Sequence, residues 1–373
     1  MEGNPVMKDG LGEAAVERII EALLMAGADF SPKSFRNDAL SALHQLELKD
    51  RVRHLITVMG RHLPSSFPKT AAILGGIRNH WPDNEDDNKH QVFAAWPIID
   101  YVAEYGLSHP DIALPLLRYL TPMFSAEFAI RAFLVQHPEE TYNQMLFWCL
   151  DSDAHVRRLA SEGTRPRLPW GRQLSQYIDD PGPVISLLEN LKDDPSDYVR
   201  RSVANNLNDI AKDHPELVIE TCRRWKADKV SARHWIIRHA TRTLVKDGHP
   251  QVFPLLGFTP KPELEVAAPE LSTPHLLLGD DLGITLRVAS TSAEKQYVVI
   301  DYAVHYMKSN GQAVPKVFKW KNLHLKPGQC VILEKSQPFR KITTRRHYAG
   351  THQIEILVNG KPASQTAFEL HIV

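Results

Sequence analysis

The stretch "DAHVRRLA", Asp153 to Ala160, returns as "DYVRRSVA" at Asp197 to Ala204. A looser third copy, "ARHWIIRHATRTL", carries Ile237-Arg238 and Ala240, so the Val-Arg or Ile-Arg pairs begin at 156, 199 and 237. The connectors recur with them: "QHPEE" from Gln136, "DHPEL" from Asp213 and "GHPQV" from Gly248. A period of about 40 residues with an aspartate just before V-R in the first two copies, and an alanine within a turn beyond the arginine, marks a HEAT-like helix pair. One pair cannot bury its apolar face alone, so neighbours must stack into a curved solenoid. Stacking requires Val156 and Val199 to be buried. It leaves part of the arginine row on the second helices, which face the concave side.

The helical reading extends to about residue 258. In "AAVERIIEALLMAG" the apolar stripe is Val16, Ile19, Ile20, Leu23 and Leu24. "PDIALPLLRYLTPMF" and "PEETYNQMLFWCL" continue it, and "NEDDNKH" at 84–90 reads as a solvated loop. From Thr259 to Pro274 the chain is proline-rich and has no helical stripe, which marks an interdomain linker. Beyond it the period becomes two. "GITLRVAS", "YVVIDYAVHYM", "AVPKVFKWKNL", "QCVILEKSQP" and "HQIEILVNG" alternate between turns at Ser309-Asn310-Gly311, Lys326-Pro327-Gly328 and Asn359-Gly360. The expected architecture is an all-α HEAT-like repeat solenoid over 1–258, a linker over 259–274, and an immunoglobulin-like antiparallel β-sandwich over 275–373.

Net charge is zero, with Lys+Arg and Asp+Glu both at 44, but it is unevenly spread. Residues 266–373 hold 13 basic against 8 acidic side chains, which leaves 31 against 36 for the rest. The C-terminal part therefore has a mild electrostatic reason to meet a polyanion. Cys149, Cys222 and Cys330 are far apart and show no zinc or disulfide spacing; each reads as a small buried hydrophobe. The N-terminal segment lacks the pattern of a signal peptide, and no apolar run approaches the roughly 20 residues of a membrane span. A soluble protein of the cytoplasm is expected. No histidine pair has metal-ligand spacing, so no metal and no cofactor is expected. No Gly-rich nucleotide loop, Ser/His/Asp arrangement or Cys/His pair stands out.

Four constellations can carry chemistry. In "DSDAHVRRLASEGTRPRLPWG", Arg158 and Glu162 share a helix face, and Gly163 can end the helix. Pro166 and Pro169 then stiffen the chain that presents Arg165, Arg167 and Trp170. This is either a surface ion pair with a tryptophan plugging a repeat junction, or a carboxylate and an aromatic at the edge of a basic groove. In "TPMFSAEFAIRAF", Glu127 lies among Phe124, Phe128 and Ile130, either paired with Arg131 at i+4 or placed to face a developing positive charge. The third constellation is the row Arg157, Arg158, Arg200, Arg201, Arg233, Arg238 and Arg242, some pairing with Asp153 and Asp197 and the rest free for phosphate. The fourth is "KSQPFRKITTRRHYAG", where Arg340, Lys341, Arg345 and Arg346 flank Thr343 and Thr344, with Tyr348 near. It reads as a phosphate or minor-groove contact, or as a solvated edge.

"FSAEFAIRAFLVQHPEETY", "SDAHVRRLASEGTRPRLPWG", "SDYVRRSVANNLNDIAKDHPEL" and "KITTRRHYAGTHQIEILVNG" together resemble the DNA alkylation repair glycosylases of the AlkC/AlkD HEAT-like group. The similarity is specifically to AlkC with its added immunoglobulin-like domain, and it covers nearly the whole chain. The resemblance implies hydrolysis of the N-glycosidic bond of cationic alkylated bases such as 3-methyladenine and 3-methylcytosine in duplex DNA. The base would not be flipped into a deep pocket. It implies Glu127 and Glu162 as active-site carboxylates and Trp170 as the aromatic against the lesion's deoxyribose, with Arg158 and Arg165 close by. DNA contacts are expected from Arg158, Arg165, Arg201, Arg238, Arg242, Arg340, Lys341, Thr343, Thr344, Arg345 and Arg346. Where the AlkD branch uses two tryptophans and an aspartate, this sequence has Phe124, Glu127 and Asn206. The expected partner is double-stranded alkylated DNA, bound by a monomer away from any membrane. The alternatives are a non-catalytic HEAT-repeat scaffold and a damage-binding protein without turnover.

Overall fold

The computed structural model describes residues 7–81, 91–342 and 346–372. It divides into two compact units, Met1–Asp213 and His214–Val373. The first is helical throughout its described residues, and the second joins four helices to strands. Among the described residues no helix is long and apolar enough to cross a membrane.

In the first unit the helix Glu13–Met25 buries Val16, Ile19, Ile20 and Leu23. The His-Pro connectors act as helix starts. His109 and His137 are the N-caps of Pro110–Leu120 and Pro138–Trp148, with proline where its missing N–H costs nothing. The repeated motif forms the helices Ala154–Gly163 and Asp197–Ile210. Val156 and Val199 are 2% and 0% exposed, as stacking demands. The arginine pairing differs from expectation. Asp153 uses its carboxylate to cap the helix, accepting the His155 N–H at 2.8 Å. Arg157 therefore bonds Asp194 of the next repeat, at 2.6 and 3.1 Å, and the Asp151 carbonyl at 2.8 Å. Arg200 does reach Asp197.

The second unit begins with Pro215–Ala227, Ser231–Ala240, Arg242–Lys246 and Val252–Leu255. Among the described residues nine strands follow: β1 Leu264–Val266, β2 Glu270–Leu271, β3 His275–Leu277, β4 Asp281–Ser290, β5 Gln296–Met307, β6 Ala313–Leu325, β7 Cys330–Pro338, β8 Gly350–Val358 and β9 Lys361–His371. One sheet pairs β4 with β7 on one side and with β1 and β2 on the other; the second runs β3-β9-β8-β5-β6. Among the described residues only β3 and β9 pair in parallel. The sandwich core is the alternate set, with Leu282, Ile284, Leu286 and Val288 facing Val298, Ile300, Tyr302 and Val304. The proline-rich stretch 259–274 is not bare of structure, since it supplies β1 and β2. Cys330 departs from expectation: it is exposed at the start of β7, while Cys149 and Cys222 are buried.

β5 is buried on both faces, with Val299 and Ala303 at 2% and 1% exposure. The chain that leaves the helices of the same unit packs against the start of β5. Phe258 stacks on Tyr297 at 4.3 Å, Thr259 N–H donates to the Tyr297 carbonyl at 2.8 Å, and Asn359 Nδ2 donates to the Thr259 carbonyl at 2.8 Å. The closest approach is between two glycines. Gly248 and Gly360 have φ of +70° and +71°, and a Cβ on Gly360 would lie 2.2 Å from Gly248 Cα. Gly360→Ala meets both a backbone clash and a disfavoured φ, so it is expected to destabilise this unit by about 2–4 kcal/mol. Urea unfolding checks this; a wild-type midpoint would mean that the two backbones do not touch.

Candidate active site

Glu127 does not lie on a helix. Residues 121–129 turn irregularly before the helix Ile130–Gln136. Ala126 N–H bonds Thr121 Oγ1 at 3.1 Å, and Phe124 and Phe128 both stack on Trp96, at 5.5 and 5.0 Å. These anchors leave Glu127 half-buried beside a cleft. The expected i,i+4 pair with Arg131 is absent, because the segment is not helical at Glu127. Arg131 is buried and donates instead to the carbonyls of Gly163 (2.9 Å) and Arg172 (2.6 Å). Burial, helped by the charge of Arg165, pulls its pKa down to about 10. Arg131 thus clips the end of the Ala154–Gly163 helix to the loop beyond Trp170.

Glu127 pairs with Arg158, whose Nη1 lies 2.7 Å from Glu127 Oε2 and 3.0 Å from Ser125 Oγ. The Arg158 guanidinium also lies 4.7 Å over the Tyr198 ring, and its Nη2 is 3.7 Å from Glu162 Oε1. Burial opposes its charge, but Glu162 and Glu127 outweigh that cost and raise its pKa. Arg158 is therefore a fixed cation that orients Glu127. A cleft of about 410 Å³ opens here, with Phe124, Ser125, Glu127, His155, Arg158 and Tyr198 in its wall.

Glu162 lies deeper, at 4% exposure. Its Oε1 accepts Arg165 Nη1 at 2.5 Å and its Oε2 accepts the Ser202 hydroxyl at 2.6 Å. Arg165 Nε reaches Asp209 at 2.8 Å, and Lys212 takes the other Asp209 oxygen at 2.9 Å. Asn206 closes the network by donating to the Ser161 carbonyl at 2.7 Å. Arg165, expected near DNA, is 7% exposed and bridges two buried carboxylates between neighbouring helices. It is a structural cation in this arrangement, because both sides of its guanidinium are taken.

Trp170 is 53% exposed and has a φ of +66°. That conformation is rare for a bulky residue and must be imposed by its surroundings. Pro169 and Gly171 flank it, Gly171 N–H bonds the Leu168 carbonyl at 3.1 Å, and Lys49 Nζ holds the Trp170 carbonyl at 2.6 Å. Arg201 is exposed one turn beyond Tyr198 and makes no ion pair among the described residues.

In the second unit Arg238 and Arg242 are exposed, and Arg242 Nη1 donates to the His239 carbonyl at 2.6 Å. Arg340 pairs with Asp281 at 3.2 Å, Lys341 is exposed, and Arg346 lies 5.6 Å over Tyr348. Thr343, Thr344 and Arg345 lie outside the described residues. Among the described residues no group of His, Cys, Asp and Glu is arranged to hold a metal ion.

Sequence reasoning missed Tyr198, His155, Ser202 and Asp209. A signal was present: Tyr198, Ser202, Asn206 and Asp209 form a polar row at helical spacing, beside the apolar row Val199, Val203, Leu207 and Ile210. The helix buries Ser202, Asn206 and Asp209 of the polar row and leaves Tyr198 exposed at the cleft.

A repeat-built helical unit with a carboxylate–arginine cleft, followed by an immunoglobulin-like sandwich, defines an AlkC-type architecture. Residues 265–372 match the family described as uncharacterised protein YhaZ, C-terminal Ig-like domain. The chain is 33% identical over 365 residues to the uncharacterized protein YhaZ of Bacillus subtilis (strain 168), covering 98% of this chain and 99% of the relative. It is similar to the alkylpurine DNA glycosylase AlkC of Pseudomonas fluorescens, solved bound to DNA containing an abasic site analog. That similarity has a TM-score of 0.91 and 35% identity over 98% of this chain and 100% of the other. The chain belongs to this YhaZ/AlkC family.

Proposed function

We propose that the protein is a DNA glycosylase that hydrolyses the N-glycosidic bond of cationic alkylated bases, 3-methyladenine and 3-methylcytosine among them, in duplex DNA. The observation that carries this reading is Glu127: one oxygen is pinned by Arg158, and the other, Oε1, has no bonding partner among the described residues of an open cleft. The kinship with a DNA-bound alkylpurine glycosylase supports it.

A cationic base needs no general acid, since the electrons of the breaking bond neutralise it as it leaves. The sugar becomes an oxocarbenium ion, and a fixed carboxylate stabilises that charge more than it stabilises the ground state. Glu127 Oε1 faces the sugar, orients a water and accepts its proton as the oxygen bonds to C1′. Glu162 supports this from below by fixing Arg158 and Arg165. Trp170 packs against the deoxyribose, where its ring face adds about 0.5–2 kcal/mol of cation–π stabilisation. Arg201 and the basic loop residues Lys341 and Arg346 supply phosphate contacts, with an affinity that falls as salt rises.

Incubating the protein with methylated duplex DNA and separating the released bases by chromatography tests the reading. Free 3-methyladenine and 3-methylcytosine are expected. Duplex binding with no released base would mean a damage-binding protein, and neither result would mean a scaffold. Trp170→Ala is expected to slow release about 2- to 30-fold through loss of the ring face, measured by single-turnover kinetics. An unchanged rate would remove Trp170 from the site.

A further inference from the structure

The second unit contains a cleft of about 400 Å³ that the proposed reaction does not use. It lies between the helical segment ending at Phe258 and the β5–β6 edge of the sandwich, and residues of that unit alone make it. One wall is apolar: Leu256, Phe258, Val299 and Val317. Arg238, Arg242, Lys246 and Lys319 line it as well, against a single carboxylate, Asp301. Arg238 and Lys246 have no ion-pair partner among the described residues. Cations gathered without partners in one cleft, as Arg238 and Lys246 are, cost free energy unless an anion completes it.

One acceptor lining the cleft, Asp301, lacks a full complement. Asp301 is 4% exposed, and the hydrogen bond it accepts, from the Trp320 N–H, is long at 3.3 Å. Burial pushes its pKa up to about 6. The Asn322 amide donates to Tyr297 Oη at 3.2 Å, and its Oδ1 is covered from solvent, so a ligand in the cleft does not reach it. A group left short of partners inside a fold costs stability, so its presence beside a cavity points to an occupant with N–H donors. A simple inorganic anion leaves the apolar wall unused. A fatty acid offers no donor to Asp301. A flat ring carrying amino groups, joined to an anionic tail, uses all three features.

We propose that this cleft binds a nucleoside monophosphate group, with its ring against the apolar wall, its amino edge on Asp301, and its phosphate among the basic side chains. The size is within the usual range for small-ligand sites, about 300–1,000 Å³. The group comes either from a free nucleotide or from an unpaired nucleotide of a strand.

The test uses the full-length protein and isothermal titration with dAMP, dCMP, dGMP, dTMP, inorganic phosphate and a short single-stranded oligonucleotide. The amino-bearing monophosphates are expected to bind. dTMP, which has no amino group and offers Asp301 only an N3–H flanked by two carbonyls, is expected to bind at least about tenfold more weakly. Arg238→Glu and Lys319→Glu, both at exposed positions, should each weaken binding about tenfold or more, and Asp301→Asn should erase the discrimination against dTMP. An oligonucleotide that competes with the monophosphate assigns the strand as source; one that does not assigns the free nucleotide. Phosphate binding as tightly as the nucleotides, no monophosphate binding, or binding indifferent to the charge reversals would each overturn the proposal. None of these outcomes bears on base release, which is measured separately.

Discussion

Glu127→Gln is expected to slow release of 3-methyladenine about 10²- to 10³-fold while the protein still folds and still binds duplex DNA. The variant keeps the volume of the side chain and an oxygen for Arg158 Nη1, so the irregular turn held by Thr121 and Trp96 has no reason to move. What it removes is the negative charge beside the sugar at the moment the sugar turns positive. Duplex affinity should hold or rise, because one repulsion toward phosphate is gone. Single-turnover release and a binding titration on the same methylated duplex separate the two effects. Release at the wild-type rate would end Glu127's role, and a parallel loss of binding would reassign it to DNA recognition.

The contrast between Glu127 and Glu162 shows what the residue pattern made legible and what it did not. Both carboxylates stood out because each sits among apolar or basic neighbours where an exposed charge is not expected. The repeat frame placed Arg158 and Glu162 on one helix, and Gly163 ends it there. Depth was not legible. Glu162 is covered because the next repeat brings Ser202 against it, Asn206 against Ser161 and Asp209 against Arg165, contacts that span about forty residues of chain. The Glu127–Arg131 pairing failed for a related reason: i,i+4 geometry holds only on a helix, and the turn at 121–129 is stabilised by a hydroxyl and by stacking rather than by periodicity.

The sandwich tells the same story in strands. β4 through β8 follow alternation that can be seen directly, whereas β9, "KPASQTAFELH", is too polar to announce itself and is defined by its pairing with β8 and β3. A boundary near residue 258 follows from the change of period. Yet the helices from Pro215 onward group with the strands, since Phe258 and Thr259 bind β5 and Gly248 meets Gly360. Periodicity reports how each segment is made; it does not report which neighbour covers it.

The second large effect is on stability. Arg165→Met is expected to cost about 3–5 kcal/mol, because it leaves Glu162 and Asp209 buried with their shared cation removed. Glu162 would keep the Ser202 hydroxyl and the more distant Arg158, and Asp209 would keep Lys212. Neither set equals a guanidinium between two carboxylates at 2.5 and 2.8 Å. Adding Glu162→Gln and Asp209→Asn to Arg165→Met should recover much of the loss, since the uncompensated charges then disappear along with their partner. Urea denaturation of the single and triple variants measures both steps. A phosphate-binding Arg165 predicts the reverse pattern: near wild-type stability for Arg165→Met, with weakened duplex affinity and a shallower salt dependence. Because the same guanidinium fixes Glu162, and Glu162 in turn faces Arg158, a stability loss accompanied by slower base release in Arg165→Met would connect the buried network to the orientation of Glu127 in the cleft above it.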